Sequence, residues 1–483
     1  MRTVSRTDGL HDAIVIGAGS GGMTVAVGLA RLGRRVALVE AARVGGDCTN
    51  VGCIPSKRLI HLSRDPAWRA DPAGVLAEVR ATRDGLAARE DREMAAMEGI
   101  DLIRGRASLA PGKRVVVERP GGAHEITAPH VVIATGSRPR VLEIPGLPPE
   151  RVLTNETLFE LERAPRHLAI VGAGPLGVEM ACAFARIGTR VTVVEVAPRV
   201  LPAADPEASA ALQAGLAEQG IGIRLETRAA GYVPERPGLR VEGRAGAELF
   251  DGVDAVLLAI GRVPNVEGLD GAVDAGPDGV LVDGWGRTSA PGVWAVGDVT
   301  PLAHQTHAAN ALGRRIVQAI ALPWIPRLGG PPVIPTAVFS DPEVAWVGPP
   351  AAERAARCHP GALVDLRVEL ADTDRGLTDD VRRGFVAVSA VRLTGRVVAA
   401  TVVGPHASEL LPLLTFSVSR HVSLLRLQRM VHAYPTLAGA IGSVTDEFAR
   451  RTLPHLGSEI IAYGRYRWAR APSGRRARTT WLQ

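Results

Sequence analysis

The chain has almost no lysine. Lys57 and Lys113 are the two lysines among 56 lysine and arginine residues in a sequence of 483. A bias spread over the whole length reflects a GC-rich genome, so it is no argument for a nucleic-acid partner. The formal net charge of +6 is matched by Arg465, Arg467, Arg470, Arg475, Arg476 and Arg478 in the tail, which leaves the body close to neutral. Cysteine is scarce too. Four cysteines are too few to staple a chain this long, which excludes a disulfide scaffold and makes a reducing cytoplasm the expected compartment. Tyrosine, phenylalanine and methionine are rare. No apolar run reaches the roughly 20 residues of a membrane span. The apolar stretch 13–30 carries recurring glycines and no cleavage site follows it. It is therefore expected to form strand and helix rather than a leader. What is abundant is glycine, at 54 residues, in short spaced groups that suggest tight strand-to-helix turns. With 46% hydrophobic and 22% charged residues, the chain can bury sizeable cores. Its length suggests about three domains.

The glycines form a repeat. AIVIGAGSGG begins at Ala13 and AIVGAGPLG at Ala169. Each apolar strand runs into a G-x-G-x-x-G turn: Gly17, Gly19 and Gly22 in the first copy, Gly172, Gly174 and Gly177 in the second. Near-copies follow, ARLGRRVALVE and ARIGTRVTVVE, ending in Glu40 and Glu195. The interval from first glycine to acid is the same in both, 40 − 17 = 23 and 195 − 172 = 23. The first glycine makes the tight turn, and the second lets backbone approach a pyrophosphate. The third allows close helix packing, and the acid accepts from a ribose hydroxyl. Two copies in full strand–turn–helix–strand–acid context point to two dinucleotide sites. A second echo follows: VVIATGSRP (131–139) closes the first unit and VLLAIGRVPN (256–265) the second. GVWAVGDVT (292–300) then ends a strand in Gly297-Asp298, a position suited to holding a cofactor hydroxyl.

One lysine sits in a conspicuous place. GGDCTNVGCIPSK (45–57) holds Cys48, Cys53 and Lys57. The five-residue spacing brings the two thiols within reach of one disulfide if a helix starts there, and Pro55 suits a first helical turn. A helix N-terminus favours the thiolate. Zinc would need four ligands, and no second cysteine pair is present, so no metal site is expected. Cys182 reads as a small core residue and Cys358 as a loop thiol.

GGDCTNVGCIPSK resembles the redox signature of the class I pyridine nucleotide–disulfide oxidoreductases, among them lipoamide dehydrogenase, glutathione reductase and mercuric reductase. Both fingerprints, ATGSRP, AIGRVPN, AVGDVT and IPTAVFSDPEVAWVG (334–348) extend the resemblance from about residue 11 to about residue 450. The resemblance implies an α/β fold with two Rossmann-like dinucleotide-binding domains and a C-terminal α+β dimerisation domain. An FAD-binding domain would take residues 1–148 and 280–330, an NAD(P)H-binding domain 149–279, an interface domain 331–450 and a basic extension 451–483. FAD would lie along Gly17, Gly19, Ser20, Gly22 and Glu40, with Gly46, Thr135, Gly136, Ser137 and Gly261 in the cofactor-facing set. Asp298 would hold the ribityl chain, and Thr306 and His307 would approach the flavin ring. NAD(P)H would lie along Gly172, Gly174 and Gly177, and Glu195 would favour NADH by repelling a 2′-phosphate. Cys53 would face the flavin and Cys48 the acceptor. Lys57, as a compact charge near the flavin, would pair with Glu179.

The sequence leaves the family pattern in one place. Disulfide-reducing members carry a C-terminal histidine and glutamate, roughly H-P-T-x-x-E, contributed by the partner subunit. Here the stretch is HAYPTLAG (432–439): Tyr434 replaces the histidine and Gly439 the glutamate, while His432 stands two residues early. Tyrosine, with a reference pKa near 10, is a poor proton shuttle at neutral pH. The expectation is therefore a homodimeric enzyme passing electrons from NAD(P)H through FAD and the cysteine pair to a metal ion, quinone or oxidant. It would be mercuric reductase-like, although ARTTWLQ carries no cysteine pair. Two alternatives are a dihydrolipoamide dehydrogenase-type reductase with an altered acid–base site and a redox-sensing flavoprotein module with little turnover. The tail, YGRYRWARAPSGRRARTTWLQ (463–483), is expected to be a flexible or subunit-covering extension rather than a nucleic-acid or membrane contact.

Overall fold

The computed structural model describes residues 5–7, 10–244, 246–269, 271–302, 304–326, 330–359 and 361–468. The tail expectation therefore falls largely on residues 469–483, outside the described residues. The chain divides into two compact units, one comprising Met1–Arg166, Ile187–Thr189 and Asp254–Pro332, the other His167–Arg186, Arg190–Val253 and Val333–Gln483. The helices that carry the site are, in chain order, α1 (Ser20–Arg31), α2 (Gly46–Asn50), α3 (Cys53–Arg64), α4 (Pro175–Arg186), α5 (Thr306–Ala321), α6 (Gly439–Thr452) and α7 (Leu456–Trp468). Among the described residues, no helix is long and apolar enough to cross a membrane.

The first unit is built on a parallel sheet. Its strands lie in the order Val293–Ala295, His130–Ile133, Ala13–Ile16, Val36–Glu40 and Ile100–Arg104. Sequence alternation explains why it is buried on both faces. Ala13 and Val15 pack into one apolar cluster with Val25 and Leu29 of α1 and Ile316 of α5. Ile14 and Ile16 pack into another with Val115, Ile126 and Ile133. A strand covered on both sides must be apolar throughout, and AIVI is. An antiparallel flank (Arg106–Ala110, Arg114–Arg119 and Gly122–Thr127) covers the second face.

In the second unit, parallel strands His167–Val171, Arg190–Val194 and Gly222–Arg224 carry α4. An antiparallel sheet follows, in the order Thr336–Val338, Val344–Val347, Val397–Val403, Phe385–Val391 and Leu363–Glu369. Val386, Val388, Ala400 and Val402 of that sheet pack with Leu411, Leu414, Val444 and Phe448 from the helices that follow. The molecule is thus the mixed α/β fold expected, with parallel sheets interrupted along the chain by antiparallel ones.

Candidate active site

Each glycine fingerprint folds into the same turn, atom for atom. Gly17 N donates to Val39 O at 2.8 Å, and Gly172 N to Val194 O at 2.8 Å. Both first glycines take a left-handed backbone, with φ of 104° and 105°. At the third glycine any side chain is excluded. A Cβ on Gly22 would sit 1.9 Å from Gly17 O, and one on Gly177 2.0 Å from Gly172 O. The second glycine faces space instead: nothing lies within 4 Å of a Cβ on Gly174, and only Gly46 Cα at 3.8 Å near one on Gly19. The acids behave alike. Glu40 accepts from Ala18 N and Ala42 N, each at 2.7 Å. Glu195 accepts from Ala173 N and Ala197 N, each also at 2.7 Å. A carboxylate at the strand end ties down its own glycine loop and still has lone pairs to spare. Arg199, four residues after Glu195, has a guanidinium donating to Pro202 O at 2.9 Å.

In the first unit the redox loop lies against the dinucleotide loop. Gly45 bridges to Gly19, and Gly45 N donates to Ala18 O at 2.9 Å. Gly46 opens α2 with φ 56°, and a Cβ there would meet Gly19 Cα at 2.7 Å, so only glycine permits this approach. Asn50, buried in α2, donates to Val44 O and Gly46 O, each at 2.9 Å. Cys53 is the first residue of α3, and Pro55 lies in its first turn, as the sequence suggests.

Both thiols converge on Thr306, the first residue of α5. Cys53 Sγ is 3.6 Å from Thr306 Oγ1. Cys48 and Cys53 are both free thiols, and the hydrogen bond between them, followed by burial, raises the Cys48 pKa strongly. Bonds from Thr306 and Ser20 oppose that rise without cancelling it. Ser20, Cys48, Cys53 and Thr306, far apart in sequence, thus form one cluster. Lys57 is half-buried one turn further along α3. Glu179, its expected partner, is 4% exposed in α4, within the second unit, and accepts from Phe339 N at 3.0 Å.

The two echo motifs pair with each other. Arg262–Pro264 runs antiparallel to Ser137–Pro139. Thr135 Oγ1 donates to Asn265 O at 2.7 Å, Asn265 N to Gly136 O at 2.9 Å, and Arg140 N to Gly261 O at 3.0 Å. Ser137 Oγ in turn donates to Asp298 Oδ2 at 3.0 Å. Arg262 is not among the residues the sequence singles out, yet it joins these pieces. Its guanidinium donates to Ser137 Oγ at 2.7 Å and Ser137 O at 2.8 Å, lies 3.6 Å from Asp298, and pairs with Asp47 beside Cys48. Burial lifts the Asp47 carboxyl above its ordinary range, against the pull of Arg262. Asn155, which the sequence also leaves unmarked, donates to Val51 O of the redox loop at 3.3 Å. The GRVPN motif names the arginine but gives no hint of its partners.

The departure from the family pattern is equally concrete. Tyr434 is 81% exposed, and a hydrogen bond to Asp374 raises its phenol pKa. Gly439 opens α6. The His432 ring packs against that helix, with Cδ2 3.3 Å from where a Cβ on Gly442 would stand. Cys182 is fully buried in α4, where burial pushes its thiol up to about 11. Cys358 is buried at the end of the helix Ala351–Arg357.

Two glycine cradles with open second positions, two acids at matching strand ends and a dithiol beside one of the cradles are the arrangement of a dinucleotide-dependent redox protein. Residues 11–313 match the pyridine nucleotide-disulphide oxidoreductase family and residues 334–444 its dimerisation domain. The chain belongs to that family. It is 34% identical over 463 residues to a dihydrolipoyl dehydrogenase of Pseudomonas aeruginosa, covering 92% of this chain and 97% of that one. A dihydrolipoyl dehydrogenase of Haloferax volcanii is 33% identical, covering 89% and 94%. Among solved structures it resembles the HOCl-induced flavoprotein disulfide reductase RclA from Escherichia coli, with TM-score 0.80, 27% identity and coverage of 90% and 99%. LpdA from Mycobacterium tuberculosis also has TM-score 0.80, with 28% identity and coverage of 92% and 99%. The chain is therefore a flavoprotein oxidoreductase that uses FAD and NAD(P)H, with a dimerisation domain that supports a homodimer. The relatives favour the dihydrolipoamide dehydrogenase-type alternative over the mercuric reductase-like expectation.

Proposed function

We propose that the chain is a disulfide oxidoreductase of the dihydrolipoyl dehydrogenase type, working with NADH and with altered proton delivery at the acceptor side. The observation that carries this reading is the cluster of Cys48, Cys53, Thr306 and Ser20 beside the first glycine cradle. On this reading residues 1–148 and 280–330 serve FAD, 149–279 serve NADH, 331–450 serve dimerisation, and 451–483 extend the chain. Gly17, Gly19, Ser20, Gly22, Gly46 and Glu40 would hold the FAD pyrophosphate and ribose, with Asp298 on the ribityl chain. Gly172, Gly174, Gly177 and Glu195 would hold the pyridine nucleotide. FAD, when bound, supplies the two-electron relay between nicotinamide and the cysteine pair.

The chain's own chemistry is thiol–disulfide exchange. The Cys48 thiolate attacks one sulfur of an acceptor disulfide and forms a mixed disulfide with it, and the other acceptor sulfur leaves as a thiolate that takes a proton. The Cys53 thiolate then attacks Cys48 Sγ, restoring the Cys48–Cys53 disulfide and releasing the second acceptor sulfur. Cys48 must lose its proton before attack, and its raised pKa opposes that loss. Tyr434 stands where the family has a proton shuttle.

That substitution favours a second reading, in which the acceptor is an oxidant, quinone or metal ion that needs no proton on a leaving thiolate. RclA, whose Cu(II) complex is among the similar structures, is described as HOCl-induced, which supports keeping this reading. The test is steady-state NADH oxidation by the FAD-loaded enzyme against lipoamide, glutathione disulfide, a quinone, Cu²⁺, Hg²⁺ and hypochlorite. The disulfide reading expects the highest kcat/KM with lipoamide, abolished by Cys48→Ser. A preference for quinone, metal ion or oxidant by tenfold or more would replace it with the second reading.

A further inference from the structure

The second unit holds a pocket that the redox reading does not use. Its cavity is about 300 Å³ and is lined by Thr394, Arg396, His421, Ser423, Arg426 and Tyr463. No carboxylate lines it. The walls come from three places. Thr394 and Arg396 lie in the turn between strands Phe385–Val391 and Val397–Val403. His421, Ser423 and Arg426 lie in the segment leading out of the helix Ala407–Ser419, and Tyr463 comes from α7.

The backbone fixes this arrangement. Arg396 bridges to Ser423, Leu424 N donates to Gly395 O at 2.8 Å, and Val397 N to Val422 O at 3.1 Å. His421 takes a left-handed backbone at φ 55°. Arg392 and Glu459, 3.3 Å apart, tie α7 to the same turn.

The decisive atom is Arg396 Nη2. It is buried and has no hydrogen-bond partner. Buried donors are almost always paired, so an unpaired one on a side chain that lines a polar cavity calls for an acceptor. Arg396 and Arg426 form no ion pair with any described carboxylate. Two guanidiniums without counter-charges, joined by two hydroxyls, an imidazole and a phenol, offer donors on several sides of one small volume.

We propose that this pocket binds a small phosphate-bearing anion, either inorganic phosphate or a phosphate monoester. Guanidinium pairs suit the geometry of a phosphate group because each presents a planar fork of N–H donors to two oxygens at once. The cavity is too small for a dinucleotide and has room for a phosphate with a short organic stub.

The experiment is calorimetric titration of the FAD-loaded full chain with inorganic phosphate and, separately, glycerol phosphate. It is run in a phosphate-free buffer with NAD⁺ saturating, so that the dinucleotide sites are filled. Binding at one site per chain, with Kd on the order of 1 mM or tighter, is expected. Arg426→Gln, at an exposed position, should weaken it by about tenfold or more while steady-state NADH oxidation is unchanged. Arg396→Gln should abolish it. Preference for glycerol phosphate over inorganic phosphate would make the ligand a phosphorylated metabolite, and the reverse would make it free phosphate. Absence of binding by both anions, or binding that Arg426→Gln and Arg396→Gln leave unchanged, would overturn the proposal.

Discussion

Glu195 accepts from two backbone N–H groups, yet each carboxylate oxygen retains a lone pair for a ribose hydroxyl. A 2′-phosphate at that place would face a buried negative charge, so NADH should be the preferred donor. Glu195→Ala should raise the NADPH-to-NADH ratio of kcat/KM by roughly tenfold, about 1.4 kcal/mol in transition-state terms. A wild-type enzyme that prefers NADPH would refute the assignment. The cysteine pair makes a second residue-level prediction. The Cys48 pKa is raised, first by its bond with Cys53 and then by burial, so its thiol persists to higher pH than an ordinary one. Cys53→Ala removes the first cause, and the Cys48 pKa should fall. Alkylation of Cys48 by iodoacetamide should then reach half its maximal rate at lower pH in Cys53→Ala than in the dithiol form of the wild type, as read by peptide mass spectrometry. Coincident profiles would show that burial, not the partner thiol, sets the protonation of Cys48.

The two glycine turns can be foreseen from sequence because the contacts that demand glycine at their ends are carried within the motif: a first glycine at positive φ, and a third glycine with the first one's carbonyl where its side chain would be. The acid at the next strand end is equally legible, since a fixed interval returns the chain to the same edge of the sheet. Gly22→Ala tests this element. Its Cβ would meet backbone rather than a movable side chain, so the turn must open by more than an ångström. Overpacking of this kind costs on the order of 1–3 kcal/mol. The larger effect should be on FAD retention, with the flavin-to-protein absorbance ratio of the purified protein falling by half or more. Full flavin content in Gly22→Ala would remove this turn from the FAD site. Arg262 shows what local reading misses. Its partners Ser137 and Asp47 lie 125 and 215 positions away, and they meet it because ATGSRP and GRVPN pair as strands. Sequence echo alone suggests two separate closing turns, whereas tertiary pairing makes them one support for Asp298. His432 is another position that spacing alone leaves ambiguous. In the structure its ring lies against Gly442 of α6.

At the scale of the whole molecule, the question is how a dimeric disulfide oxidoreductase manages protons without the usual histidine and glutamate. Tyr434 is exposed and its phenol is bonded to Asp374, which raises its pKa. A phenol above its ordinary pKa stays protonated at neutral pH. It cannot take the proton that Cys48 must lose, and its bond to Asp374 occupies the proton it would otherwise donate. General acid–base help is worth roughly 10²–10⁴-fold. The wild type should therefore turn over lipoamide below about 10 s⁻¹, a middling rate for enzymes. Tyr434→His with Gly439→Glu should raise that rate by roughly tenfold or more, because histidine titrates near neutrality and the glutamate can orient it. A Cβ on Gly439 would have no atom within 4 Å, and the residue begins α6, where an acid in the first turn suits the helix dipole, so the glutamate should be accommodated. The rate of flavin reduction by NADH in stopped flow should be nearly unchanged, since the substitutions concern only the acceptor's proton. The paired measurement separates two failures. If disulfide turnover stays low while flavin reduction is intact, proton delivery is not the limiting event and the quinone, metal-ion or oxidant reading gains. If the wild type already exceeds about 10 s⁻¹ with lipoamide, Tyr434 does not limit proton transfer, and the enzyme is an ordinary dihydrolipoyl dehydrogenase in all but its shuttle.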